Sequence, residues 1–263
     1  MGTAILRGLL KAGFDAANVA VSTKSAASAN RLAGELGVTA FSAEENIDAN
    51  SRAVAGADVI LVAVKPIFVA SVLAEVAPSM RTDALVISVA AGITNATMEA
   101  AVPESVAVIR SMPNTPAIVG RAVSGLARGS RATDSQLTLA TSLFETVGQV
   151  VVLDEEHIDA LGTISGSGPA YVFYLIEQFT QTAKNMGFDE ATAAMLVTQT
   201  FLGAAELLVA SGKTPQELRK QVTSPNGTTM QAIAKLEAGN LVTLFTEATN
   251  AALARSKEIA AGK

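Results

Sequence analysis

The residues best suited to chemistry stand in one stretch of the second half, 222–237, which reads VTSPNGTTMQAIAKLE. Six consecutive residues, 224–229, are Ser, Pro, Asn, Gly and two Thr, and a helical pattern follows at once. A helix that starts in such a turn presents free backbone N–H groups, the positive end of the helix dipole and hydroxyls at one point. That combination suits a small anion. The same residues also favour an ordinary capped helix start, and the stretch alone leaves both interpretations open.

A second set of suggestive residues lies near the N-terminus, where Gly2 stands directly before a predicted helix. In a dinucleotide-binding unit a glycine-rich turn opens that helix, and Asp or Glu at the end of the second strand binds the ribose hydroxyls of NAD. Here that strand ends in STKS at 22–25, and no acidic residue occurs between Asp15 and Glu35. Hydroxyls with a lysine favour the 2′-phosphate of NADP. We expect Gly2 to be the last glycine of the turn, preceded in the natural protein by about ten residues, one strand and a turn; the alternative is a fold that starts with a helix.

Three further loops follow predicted strands: AVKP at 63–66, AAG at 90–92 and MPNTP at 112–116. Ligands of parallel sheets bind beyond the carboxyl ends of the strands. Small residues let a cofactor approach the backbone, and the two prolines stiffen the loop around Asn114 and Thr115. Each loop alone is a weak signal, because Pro and Gly mark any loop. Three at one edge of a sheet predict a cofactor site.

The inventory of reactive side chains excludes several kinds of chemistry. The chain has no Cys and one histidine, His157, so we expect neither a Ser-His-Asp triad nor a zinc site, and no calcium-loop motif occurs. The acidic pairs Glu44/Glu45 and Glu155/Glu156 are expected to be solvated. We therefore expect no metal site and a reaction whose chemistry comes from a bound cofactor.

Charge and hydropathy limit the partners. Lys+Arg 19 against Asp+Glu 24 gives a net charge of −5 without a basic cluster, so nucleic acid is not expected. The best apolar run, 59–64, stops at Lys65-Pro66, so we expect no membrane span. No signal-peptide pattern occurs, and we expect a cytoplasmic protein.

The first half alternates between the two kinds of element that would position these residues. The run DVILVAV at 58–64 is typical of a strand buried on both faces of a parallel sheet. Alternation of this kind predicts a Rossmann-like, doubly wound α/β sheet. The pattern predicts strands at 19–23, 38–42, 58–64, 84–90, 105–109, 122–127 and 149–153, and helices at 3–13, 25–36, 44–54, 66–77 and 133–147.

The second half reads as helices alone, predicted at 170–186, 190–210 with Asp189 as its cap, 214–222, 227–236 and 241–261. We therefore expect two domains, a nucleotide-binding domain at 1–153 and an all-α domain at 154–263. Frequent Ala and Gly on helical faces favour close packing, within this chain or against a second copy.

Taken together, the motifs resemble those of pyrroline-5-carboxylate reductases, over nearly the whole chain and in the same order. The two motifs of the helical half are far more specific than the Rossmann features. The matching residues are MGTAI at 1–5, GL at 8–9, AVKP at 63–66, VAAGI at 89–93, Arg110 with MPNTP at 112–116, SGSGPAY at 165–171 and VTSPNGTT at 222–229.

The resemblance implies an NAD(P)H-dependent oxidoreductase that reduces the cyclic imine Δ1-pyrroline-5-carboxylate to L-proline, the last step of proline biosynthesis. It implies NADP(H), with NAD(H) as an open second cofactor, and an intertwined homodimer built from the helical domain, assembled further into a ring. Implied cofactor-binding residues are Gly2, Ser22, Thr23, Lys24, Asn50, Val64, Lys65, Pro66, Ala90, Ala91 and Asn114. Implied substrate-binding residues are Ser224, Asn226, Gly227, Thr228 and Thr229, with Thr229 as the catalytic residue that hydrogen-bonds the ring nitrogen.

Three departures from the family pattern accompany the resemblance. The first strand and the first two glycines of the dinucleotide turn are missing, Gly162-Thr163 reverses the common order, and Asn226 replaces a residue that is usually glycine. Asn is the non-glycine residue most tolerant of positive φ, so the turn at 226 can survive. Two alternatives stay open: another NADP-dependent dehydrogenase of Rossmann and helical domains that acts on a hydroxy acid, and a catalytically inactive NADP-binding scaffold.

Overall fold

The structure, a computed structural model, describes residues 1–260. It divides into two compact units: Met1–Ser167 together with the segment from Ala252, and Gly168–Ala251. The division that we expected after residue 153 stays a prediction, since residues 154–167 contact the first unit most. Each unit is described by itself.

The first unit alternates strands and helices, as expected. Its strands are β1 Ala20–Thr23, β2 Thr39–Ser42, β3 Val59–Val62, β4 Leu85–Ser88, β5 Ala107–Met112, β6 Ala122–Arg128 and β7 Gly148–Val152. Its helices are α1 Gly2–Lys11, α2 Ala26–Leu36, α3 Ala49–Val54, α4 Val69–Val76, α5 Asn95–Glu99, α6 Asp134–Glu145 and α7 Ile158–Leu161, with a π-helical turn at Gly162–Gly166.

These strands form two sheets. β1 pairs with β2 in parallel, and the second sheet has the order β3-β4-β5-β6-β7. All neighbours in the larger sheet are parallel except β5 and β6, in which Arg110 lies opposite Ala127 in an antiparallel register. Within residues 1–260 no strand joins β1 to β3.

The side chains of strand β4 are buried on both faces of the larger sheet, because helices cover both faces. Leu85, Val86 and Ile87 are each at most 1% exposed, and alternate side chains of a strand point to opposite faces. Val86 packs in a cluster with Leu73 of α4 and Met98 of α5, whereas Leu85 and Ile87 pack with residues of α1 and α6, including Ile5 and Phe144. Burial of each such side chain contributes about 1.5–3 kcal/mol. The doubly wound architecture is thereby confirmed.

Three local predictions in the first unit were wrong or incomplete. The helix predicted at 44–54 is only α3, because the carbonyl of Ser42 accepts hydrogen bonds from the N–H groups of Glu45 and Asn46 and turns the chain. Helix α5 was missed, since five residues are too short to show a helical period. The antiparallel pairing of β6 was also not anticipated, because no local pattern encodes strand direction.

The second unit is all helix, as expected, with α8 Gly168–Asn185, α9 Glu190–Ser211, α10 Pro215–Gln221, α11 Thr228–Ala238 and most of α12 Leu241–Ala260. Its buried cluster is small: Ala183, Ala193 and Val197, with two partly buried neighbours. Large apolar side chains are exposed on α8, α9 and α12, among them Phe173, Leu202 and Phe245. Large apolar side chains exposed on several helices of one unit are typical of an interaction surface.

Helix α9 is the one helix within residues 1–260 that is long and apolar enough to cross a membrane by length and composition. The sequence-based expectation that no apolar run reaches this length overlooked it. Core helices of soluble proteins have the same properties.

Candidate functional site

The cofactor-binding residues implied by the sequence lie at the carboxyl ends of parallel strands in the first unit. Ser22 and Thr23 end β1, and Lys24 follows. The residues that follow β3, β4 and β5 stand at the corresponding ends of the larger sheet: Val64, Lys65, Pro66, Ala90, Ala91 and Asn114. Ligands of doubly wound sheets bind at this edge.

The start of α1 fits a dinucleotide. A Cβ added to Gly2 would lie 2.9 Å from the Cβ of Ala63, so the absence of a side chain lets the helix pack closely on the end of β3. The last glycine of a dinucleotide-binding turn has this role. No side chain caps the first turn of α1, so its N–H groups stay available for a phosphate.

Asn50 of α3 links the end of β1 to helix α4 through side-chain hydrogen bonds. The hydroxyl of Ser22 donates to Asn50 Oδ1 over 2.7 Å, and Asn50 Nδ2 donates to Glu75 Oε1 of α4 over 3.1 Å. The side chain of Asn50 therefore reaches the end of β1, where the sequence places the ribose of the cofactor. Glu75 was not foreseen, because nothing in its sequence context distinguishes it from a solvated helix residue.

The side chain of Asn114 stabilises the loop that follows β5. It is 7% exposed; its Nδ2 donates to the carbonyl of Ser165 over 2.9 Å, and its Oδ1 accepts from the N–H of Val123 over 2.9 Å. The amide thus ties the loop after β5 to the π-helical turn and to β6. A contact with the nicotinamide, as the resemblance implies, would use the remaining hydrogen-bonding capacity of this amide.

The substrate-binding residues implied by the resemblance form a tight turn in the second unit. The N–H of Gly227 donates to the carbonyl of Ser224 over 3.0 Å, and Asn226 has φ +58°, the left-handed conformation expected for this position. A Cβ on Gly227 would lie 2.4 Å from Ser224 Oγ, so a larger residue there would displace the Ser224 hydroxyl. Thr228 and Thr229 begin α11, and no side chain bonds to the first turn of that helix. Three elements of an anion site therefore converge: open N–H groups, a helix dipole and hydroxyls.

Two other helices of the second unit, α9 and α10, have starts that side chains cap. Asp189 Oδ1 accepts from the N–H of Thr192 at the start of α9, and Thr214 and Glu217 cap each other's backbone at the start of α10. A side-chain hydrogen bond from Thr192 lowers the pKa of Asp189. A backbone hydrogen bond from Thr214 likewise lowers the pKa of Glu217.

Arg110 is the most deeply buried charge in the first unit that sequence reasoning left without a role. It is 3% exposed on β5, and its guanidinium lies 2.6 Å from Asp159 Oδ1 and 3.6 Å from Glu155 Oε1. Glu155 also accepts from the N–H of Asn95, the first residue of α5, over 2.6 Å. The prediction that Glu155 belongs to a solvated pair was wrong, because its partners lie far away in sequence; Glu156 is exposed as expected.

His157 lies at an exposed position, and residues 1–260 contain no group of His, Asp and Glu that could hold a metal ion.

Comparisons with known proteins relate the chain to one family. Residues 155–259 match the family model of pyrroline-5-carboxylate reductase dimerisation, and residues 1–92 match that of coenzyme F420-dependent NADP oxidoreductases. A pyrroline-5-carboxylate reductase of Pseudomonas aeruginosa is 38% identical over 99% of this chain and 93% of its own length. One of Methanosarcina acetivorans is 38% identical over 98% of this chain and 94% of its own.

Two solved structures are similar over most of the chain. The pyrroline-5-carboxylate reductase of Coxiella burnetii has 35% identity and a TM-score of 0.91, covering 98% of this chain and 94% of that one. The pyrroline carboxylate reductase of Plasmodium falciparum, solved with NADP bound, has 26% identity and a TM-score of 0.84, covering 99% of this chain and 94% of that one.

Proposed function

This chain belongs to the pyrroline-5-carboxylate reductase family, and we propose that it reduces Δ1-pyrroline-5-carboxylate to L-proline at the expense of NADPH or NADH. It is thus an oxidoreductase that acts on a cyclic imine. The single observation that best supports the residue assignments is the start of α11, where the turn 224–229 leaves the first N–H groups of a helix without a side-chain cap.

For the cofactor we propose the carboxyl edge of the first unit. The start of α1 would hold the pyrophosphate, the Ser22–Lys24 turn with Asn50 would hold the ribose of the adenosine half, and the loops at 64–66 and 90–91 would lie along the rest. Asn114 would keep the loop beside the nicotinamide in place through its bonds to Ser165 and Val123. When bound, the reduced nicotinamide supplies a hydride to the imine carbon.

For the substrate we propose the turn before α11. The backbone N–H groups of the first turn, with the hydroxyls of Ser224 and Thr228, would bind the single carboxylate, so no arginine is required. Asn226 and Gly227 shape the turn that makes this approach possible. Thr229 would hydrogen-bond the ring nitrogen and so fix the orientation of the imine carbon. Orientation of two bound reactants can supply about 7–11 kcal/mol of a barrier, and an easily protonated imine needs little further acid–base catalysis.

For the assembly we propose a homodimer built from helices of the region 154–263, joined into a ring of dimers, in the cytoplasm. The family model for this region is one of dimerisation, which supports homo-oligomerisation. The exposed apolar residues of α8, α9 and α12 provide the surface that such an interface needs.

A spectroscopic assay of NADPH oxidation tests the function against both alternatives. The expected result is turnover with pyrroline-5-carboxylate and none with a panel of 2-oxo acids, the oxidised substrates of a hydroxy-acid dehydrogenase. Turnover with an oxo acid alone would favour the hydroxy-acid dehydrogenase. Binding of NADPH without any turnover, also after a strand and glycine-rich turn are added before Gly2, would favour the inactive scaffold.

A further inference from the structure

The turn between β1 and α2 carries several hydroxyls, but their protons are already engaged within the chain. Ser22 donates to Asn50 Oδ1 over 2.7 Å, Thr23 to the carbonyl of Ser25 over 3.0 Å, and Ser25 to Ser28 Oγ over 3.1 Å. A hydroxyl has one proton, whereas a phosphate accepts hydrogen bonds only. In this arrangement the hydroxyls offer lone pairs, and Lys24 is the cation of the turn.

A carboxylate occupies the helix start that borders the same turn. Glu44 Oε2 accepts from the N–H of Ala26, the first residue of α2, over 3.0 Å. Backbone bonds fix its position: the N–H of Ala43 donates to the carbonyl of Thr23 over 2.9 Å, and the N–H of Glu44 to that of Lys24 over 3.1 Å. Glu44 therefore lies beside Lys24 because the β1–β2 ladder continues past both strands.

A 2′-phosphate and the Glu44 carboxylate compete for the same groups. The Glu44 carboxylate already accepts from the N–H of Ala26, a 2′-phosphate at the start of α2 would need the same group, and two anions at one place repel each other. A ribose 2′-hydroxyl, by contrast, can donate a hydrogen bond to a carboxylate. Acidic residues near this position favour NAD over NADP for that reason.

We propose that Glu44 is a specificity-determining residue of the cofactor site, which occupies the place of the 2′-phosphate at the start of α2 and so lowers the preference for NADPH over NADH. The proposal rests on the cofactor site assigned under the proposed function. The composition of the Ser22–Ser25 turn alone favoured NADP. In this proposal the group that discriminates between the two cofactors is instead Glu44, about twenty residues later, after the end of β2.

Binding of the adenosine half alone tests the proposal without catalysis. The probes are 2′,5′-ADP and ADP, measured by titration calorimetry on the full chain. The variants are Glu44→Ala and Glu44→Gln, with Glu45→Ala as the matched control, because Glu45 is the exposed neighbour of equal charge. We expect Glu44→Ala to raise the affinity ratio of 2′,5′-ADP to ADP about fivefold to twentyfold, Glu44→Gln to raise it less, and Glu45→Ala to change it less than about twofold.

Two results would overturn the assignment. One is a ratio that changes less than about twofold in Glu44→Ala, and the other is an equal change in Glu45→Ala, which would indicate only the net charge of the surface. The KM for NADH divided by the KM for NADPH should rise in the same order, most in Glu44→Ala, less in Glu44→Gln and least in Glu45→Ala. A wild-type chain that binds neither probe would instead contradict the proposed cofactor site itself, which is a different outcome from binding with an unchanged ratio.

Discussion

The starts of α10 and α11 are near neighbours in sequence and are built in opposite ways. At α10, Thr214 and Glu217 satisfy each other's backbone N–H groups, and the helix start is closed. At α11, Gly227 stands at the cap position and contributes no side chain, and the start is open. Both stretches contain the small polar residues that favour helix starts, so composition does not separate them. At α10 the chain itself satisfies the first N–H groups, whereas at α11 no side-chain cap does so, and these are the groups to which we assign the ligand.

The largest expected effect concerns the open start. Thr229→Ala should lower kcat about 10-fold to 1000-fold, the range for loss of one positioned hydrogen bond in a reaction centre. The free energy of unfolding should change by less than about 0.5 kcal/mol, because this start does not support the fold through a cap. Steady-state kinetics and urea denaturation measure the two quantities. Thr138→Ala removes an exposed helix hydroxyl in the first unit and serves as the control. Unchanged kinetics in Thr229→Ala would remove this residue from the mechanism.

The next effect concerns the start of α5, where Glu155, distant in sequence, accepts a backbone hydrogen bond. Glu155→Ala removes the acceptor from the N–H of Asn95 and one of the two partners of buried Arg110. We expect the free energy of unfolding to fall by about 1–3 kcal/mol, since Asp159 remains paired with the arginine and Glu155 is partly exposed. Glu156→Ala, one residue away and exposed, should change it by less than about 0.5 kcal/mol. Equal effects of the two variants in urea denaturation at one protein concentration would contradict the role of Glu155 as a partner of Arg110 and Asn95.

A smaller effect is expected at α10. Thr214→Ala removes the hydroxyl that caps this helix and should cost about 1 kcal/mol of stability. Turnover at saturating substrate should stay within about twofold, because the cap belongs to the fold and not to the ligand. Loss of activity at unchanged stability would show that the start of α10 serves a ligand, as proposed for α11, and would contradict the distinction between the two helices.

The smallest effect is a response to pH. The pKa values of Asp189 and Glu217 are lowered by the hydrogen bonds of their caps, so each carboxylate contributes stability above its ordinary pKa. That contribution is lost as the pH falls through the lowered pKa, below about pH 4. The urea midpoint of the wild type should therefore fall between about pH 6 and about pH 3 by more than that of the double variant Asp189→Asn, Glu217→Gln. Coinciding pH profiles would show that the caps do not titrate.

The fold was largely predictable because its signals are local. Apolar runs such as 58–64 and 84–90 predict buried strands, and the helical periodicity of the second half predicts α8 to α12. The antiparallel β6 and the short α5 were not predictable, since strand direction depends on distant partners and five residues carry no period. The positive φ of Asn226 was predictable, because it follows from which residues tolerate that conformation.

The candidate site was predictable in outline and not in its hydrogen bonds. The strand ends that carry Ser22, Lys65 and Ala90 follow from the alternation of elements. The pairing of Glu155 with buried Arg110 and the position of Glu44 at the start of α2 depend on contacts between residues far apart in sequence. Both acids looked like parts of solvated pairs, because a pair of adjacent acids gives no sign of what lies opposite.

Because apolar side chains are exposed on α8, α9 and α12, we expect the stability of this chain to depend on its concentration. A homo-oligomer is favoured by mass action, so each tenfold dilution shifts the equilibrium towards chains whose apolar helices face water. The thermal midpoint should then rise with protein concentration, and specific activity should fall on dilution even though no residue of the turn 224–229 has changed. Assembly and resistance to unfolding are in this way one linked equilibrium.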